Sequence, residues 1–203
     1  MSKKISKQEA LELLHENMKD VNLIKHCYAV GFAMAGIYDY LKENDMLNED
    51  SKNMNREDWE VVGILHDSDY EITKKDWEKH TLITLEWLEK FGVEQIDPLY
   101  MALQSHNNKI TKLRDPQTQM EWVLECVDEL TGFIVATALI RPQKDLESLK
   151  LKSIKKKWKQ LAFAKGVIRE QTEQVNEKLG IDFDTFVTVT LNAMQANHEE
   201  LGL

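Results

Sequence analysis

The chain has 203 residues, 42% of them hydrophobic and 30% charged, and its 26 Lys and Arg against 35 Asp and Glu give a formal net charge of −9. This composition excludes disorder of the whole chain, a collagen-like repeat and a disulfide-dense scaffold, and the length suffices for a sizeable core. An acidic chain is also a poor general binder of nucleic acid, because phosphate contacts need clustered Lys and Arg.

Taken from the N-terminus, the sequence reads as helix throughout. Apolar residues recur at spacings of three and four, and no strand-like alternation is sustained. The periodicity predicts helices over 7–18, 22–43, 57–67, 75–91, 96–106, 119–140, 153–178 (broken near Gly166) and 183–200. Asn22 is a candidate cap for the second helix. Gly92 is a stop that favours the left-handed conformation, and Asp97-Pro98 and Asp182 are starts. Residues 43–56 and 107–118 are polar and read as loops. The charged passage Lys144–Lys152 suggests a soft division, with a helical core over 1–145 and a helical extension over 146–203 packed on it. No apolar run approaches the 18 or so residues of a membrane span. The basic N-terminus leads into Gln8-Glu9 rather than an apolar signal region, so the expected location is cytoplasmic. Cys27 and Cys126 form no CxxC pair and are expected as small buried hydrophobes.

Four of the six histidines fall on faces that look inward. His26 shares a stripe with Val30, Ala33 and Ile37, and His66 lies with Trp59, Val62 and Gly63. His80 lines up with Trp77, Thr84 and Trp87, and His106 with Leu99, Ala102 and Leu103. Asp67 follows His66 directly, and Asp128 shares a stripe with Leu124, Thr131 and Val135. His15 and His198 sit among polar neighbours instead. A single inward histidine is more often a hydrogen-bonded core residue than a ligand. Several of them together with two carboxylates, and with no Lys or Arg on the same stripes, call for a cation to offset the desolvated charge. Imidazole and carboxylate in combination suit a divalent transition metal.

The order His26, His66-Asp67, His80, His106, Asp128 resembles that of the HD-domain superfamily of metal-dependent phosphohydrolases. Gly63-Ile64-Leu65-His66-Asp67 is similar to the family's apolar helix ending in a His-Asp doublet. Ser105-His106-Asn107 is similar to its SHN element, and Val127-Asp128-Glu129-Leu130-Thr131-Gly132 to its closing Asp helix. The likeness spans about residues 20–142. Ser68-Asp69 departs from the Ile-Gly that many members carry at that point.

The resemblance implies an all-α HD-type bundle with a C-terminal helical extension. It implies a first metal held by His26, His66, Asp67 and Asp128, with Asp67 bridging to a second held by His80 and His106. The implied reaction is hydrolysis of a phosphomonoester or phosphodiester, and the implied partner a small phosphorylated molecule of nucleotide type. Asp67, Asp69 and Lys109 are the candidate catalytic residues: Asp69 to orient a metal-bound water or to cap a turn, Lys109 to meet phosphate. Arg141 is a further candidate for the same cleft. The basic run Lys152, Lys155, Lys156, Lys157 and Lys159 reads first as a solvated helix face, and second as an attractor of anionic substrate. Two other functions share the ligand set, a di-iron oxygenase and a catalytically silent nucleotide-binding sensor.

Overall fold

The computed structural model describes residues 2–203. Among them the chain forms thirteen helical segments and no strand, so the expected all-α architecture is observed. In chain order these are α1 (Lys7–Asn17), α2 (Val21–Glu43), α3 (Arg56–Leu65), α4 (Tyr70–Thr73), α5 (Leu82–Phe91), α6 (Pro98–His106), α7 (Asn108–Thr111), α8 (Gln119–Leu139), α9 (Leu151–Trp158), α10 (Arg169–Glu173), α11 (Val175–Leu179), α12 (Phe183–Ala196) and α13 (His198–Leu201).

Helix α2 is the axis of the bundle. Its face of Cys27, Val30, Ala33, Met34, Ile37 and Leu41 is fully buried, and α3, α8 and α12 pack around it. One continuous apolar cluster runs from Ile5 to Leu201. Residues 146–203 have no core of their own: Ile154, Val175, Phe186, Val187 and Met194 are buried in the same cluster.

The helix ends follow local chemistry. Asp97 accepts from the Leu99 amide with Pro98 in the first turn, Asp182 accepts from the Thr185 amide, and Gly92 stops α5 at φ +90°. The cap of α2 is Asp20 rather than Asn22. The Asp20 carboxylate accepts from the amides of Asn22 and Leu23, leaving Asn22 inside the first turn.

Two expected helices are shorter than their periodicity suggests. Residues 75–81 are turns, and α5 begins only at Leu82. Asn107 Nδ2 donates to the Trp77 and His80 carbonyls at 2.9 and 3.1 Å, drawing off acceptors that a continuous helix would use internally. The segment expected over 153–178 is three helices, with turns over 159–168. Here Arg169 ends α9. Its guanidinium donates to the carbonyls of Trp158, Gln160 and Phe163 and lies over the rings of Phe133 and Trp158. One side chain thus satisfies carbonyls that the finished helix leaves open.

One contact positions the site. A Cβ on Gly63 would lie 2.6 Å from the Gly31 Cα, so α2 and α3 cross backbone against backbone. His26 precedes this crossing on α2, and His66 follows it at the end of α3.

Candidate metal centre

Six side chains from separate parts of the chain converge. His26 comes from α2, His66 and Asp67 from the turn after α3, His80 from the turn before α5, His106 from the end of α6 and Asp128 from α8. Asp67 divides its two oxygens between two groups. Its Oδ2 faces His26 Nε2 at 3.7 Å and His66 Nε2 at 3.6 Å, and Asp128 Oδ1 closes that group at 2.9 and 3.4 Å from the same nitrogens. Its Oδ1 faces His80 Nε2 and His106 Nε2, each at 3.1 Å. All six expected ligands are therefore brought together, whereas His15 pairs with Tyr28 elsewhere on the surface.

The hydrogen bonds set the tautomers. His66 Nδ1 donates to the Gly63 carbonyl at 2.7 Å, and His80 Nδ1 donates to Asp69 Oδ1 at 2.8 Å. A ring held this way has its Nε2 toward carboxylate oxygens, and for His66 also toward His26 Nε2 at 3.3 Å, so that Nε2 is free to bind a cation whenever it carries no proton. Such an arrangement repels itself unless a positive charge sits in the middle. No Lys or Arg among the described residues pairs with Asp67 or Asp128. Atoms bound about 2.1 Å from a common ion stand about 3.0–3.4 Å apart; four of the spacings here, 2.9, 3.1, 3.1 and 3.4 Å, fall at or near that range, and those from Asp67 Oδ2 to His26 and His66 are longer, at 3.7 and 3.6 Å. The donors could hold a metal ion: His26, His66 and Asp67 form one compact group, Asp67, His80 and His106 another, and Asp128 groups with His66 and His106.

Electrostatics agree. Burial opposes charge on His26, yet the hydrogen bond and charge of Asp128 outweigh it and raise its pKa from 6.5 to about 9. Burial likewise opposes charge on His80, and Asp67 and Asp69 raise it to about 9. Burial pushes Asp67 and Asp128 up, but the surrounding imidazoles hold both far below the usual carboxylate range. Without metal, then, protons do the neutralising.

Of the two expectations for Asp69, the structure agrees with the cap and not with the water. Asp69 is fully buried, and beyond His80 it accepts from the amides of Thr81 and Thr84, so both oxygens are committed. It cannot orient a water in the cleft; it holds the His80 ring and the start of α5. It also anchors Thr81, which sits at φ +74°, a conformation costly for a β-branched residue.

The ligands open on a cavity of about 420 Å³. Tyr70 and Trp77, whose rings lie 5.3 Å apart, line it together with Ile110, Gly132, Val167 and Ile168. Lys109 lines it as expected, but its ammonium donates to Glu125 Oε1 at 2.7 Å, an oxygen that also accepts from Gln171. Arg141 is not among its lining residues. Sequence reasoning missed Glu129, which lines the cavity and whose pKa burial and the Asp128 charge raise to about 6. It missed Val167, Ile168 and Gln171 as well, which come from the C-terminal segment and carry no local signal. The half-exposed Trp77 beside His80 was legible as an aromatic but not as a cavity wall.

Comparisons of the chain with protein-family models, with curated proteins and with solved structures return no match.

Proposed function

We propose that this protein is a metal-dependent phosphoester hydrolase of HD type with a two-ion centre. The observation that carries the reading is the split use of Asp67, one oxygen toward His26 and His66 and the other toward His80 and His106. Counting Asp67 in both, one group offers four protein ligands and the other three, which leaves room for water and substrate as a catalytic rather than a structural site requires. Bound divalent ions supply an activated water and a clamp for the oxygens of a transferring phosphoryl group.

The chain's own residues do the rest. Asp67 fixes the separation of the two positions. Asp69 keeps His80 in the tautomer that presents Nε2, and the Gly63 carbonyl does the same for His66. Lys109 reaches a phosphate oxygen from the cavity wall by exchanging its contact with Glu125 for the more highly charged ligand. Water adds to phosphorus, the bond to the ester oxygen breaks, and the alcohol leaves with the proton.

The test is metal analysis of anaerobically purified protein together with phosphate release over a panel of phosphomonoesters and phosphodiesters. Asp67→Ala should lose bound metal and turnover together, and His15→Ala should keep both. Full turnover in the Asp67 variant rejects the reading. Oxygen uptake by Fe(II)-loaded protein with no phosphate release moves the chemistry to a di-iron oxygenase.

A further inference from the structure

Four glycines lie inside the long helices α2, α3 and α8, and three are explained by packing. A Cβ would meet Ile64 at 3.0 Å from Gly31, Ala193 at 2.7 Å from Gly36 and the Gly31 backbone at 2.6 Å from Gly63. The fourth, Gly132, is the exception. It sits in the middle of α8 with nothing within 4 Å of the Cβ it lacks. Glycine inside a helix is unfavourable relative to alanine, and nothing in the fold compensates for it here.

What Gly132 borders is open space on two sides. It lines the metal-centre cavity, and it lines a second cavity of about 450 Å³ whose walls include Val135, Leu139, Leu201 and Leu203, with Asn22 and Lys25 beside them. The two cavities share His26 and Gly132, so they meet beside a metal ligand. Asp128, Gly132, Val135 and Leu139 fall on one stripe of α8 at spacings of three and four. From Gly132 to Leu139 that stripe runs about 10 Å along the helix. Leu139 is 47% exposed, an apolar wall turned to solvent.

We propose that Gly132 is a specificity-determining residue: it leaves a passage over α8 through which the alcohol portion of the phosphoester extends from the metal centre along the Val135, Leu139, Leu201 and Leu203 walls of the second cavity. The substrate class is then a phosphate ester of an elongated, largely apolar alcohol. This rests on the phosphoester reading above. The missing methyl group has its use in the complex, since any side chain at 132 would occupy the passage.

Calorimetric titration of Mn²⁺-loaded protein with methyl-, butyl- and octylphosphonate tests it without turnover. Each buried methylene is worth up to about fourfold in affinity, so the native chain should bind the octyl compound at least about tenfold more tightly than the methyl one. In Gly132→Leu that ratio should fall to about one with metal content unchanged. Gly132→Ala should raise Tm by about 2–4 °C, because the fold itself makes no use of the glycine. A ratio that survives in Gly132→Leu, a native chain indifferent to chain length, or a lowered Tm in Gly132→Ala overturns the inference. Metal-loaded protein that binds none of the three phosphonates removes the phosphoester reading, and this inference with it, a result distinct from equal affinities.

Discussion

Asp69 shows how a residue without access to the cavity can fix the orientation of a candidate ligand, His80. Its carboxylate takes the His80 Nδ1 proton and two backbone amides, and no solvent reaches it. Asp69→Asn puts an amide donor where three donors already point, so the ring loses its fixed tautomer. Removing such outer partners of a ligating histidine typically costs about 10–100-fold in metal affinity. The expected outcome is a protein that keeps the ion bound by His26, His66, Asp67 and Asp128 and loses the one bound by His80 and His106. Metal stoichiometry against a competing chelator would read it, and two ions held at native affinity would count against the role. The histidines themselves were legible from their apolar stripes. The role of Asp69 was not, because its partners Thr81 and Thr84 lie twelve and fifteen residues away and a turn cap looks the same from the sequence.

At the scale of elements, the crossing of α2 and α3 sets the distance between the first two ligands. Gly63→Ala drives a methyl into the Gly31 backbone, and overpacking of this kind costs about 1–3 kcal/mol. The helices can relieve the clash only by separating, which pulls His26 from His66. A lowered Tm with reduced metal content is expected, and a variant that melts like the native chain would show that the crossing is not tight. Periodicity made the long helices α2, α8 and α12 legible, since their buried faces repeat over several turns. It failed over 75–81 and 159–168. There, Asn107 and Arg169 reach from outside the segment and take the carbonyls that helix would need. Distant hydrogen bonds leave no trace in a local pattern.

For the whole molecule, protons and metal compete for one cluster. In the metal-free protein His26 and His80 are raised from 6.5 to about 9. A raised pKa lends stability that is fully present below the unfolded value and fades as pH climbs through the folded one. The metal-free protein should therefore weaken between pH 6.5 and about 9, a window across which the protons that metal must displace become progressively easier to remove. The gap in Tm between metal-loaded and chelator-treated protein should widen across it, and a constant gap would contradict the coupling. Asp67 and Asp128 act at the other end: their stability holds above the ordinary 3.8 and is lost only well below it. No helix among the described residues is long and apolar enough to cross a membrane, and the acidic surface is broken by the lysines of α9. Of those, Lys155 pairs with Asp184 and Lys157 lies over Phe163.

Arg169 links these scales. Its guanidinium fastens the 159–168 segment to the bundle, and the last residues of that segment, Val167 and Ile168, line the cavity beside the candidate ligands. The far end of the polypeptide is thus a structural wall, held by Arg169 together with the buried Ile154, Val175, Phe186 and Met194, and not an appendage that could be trimmed. A chain shortened to its first 145 residues would keep all six candidate ligands and still lack Val167, Ile168 and Gln171 beside them.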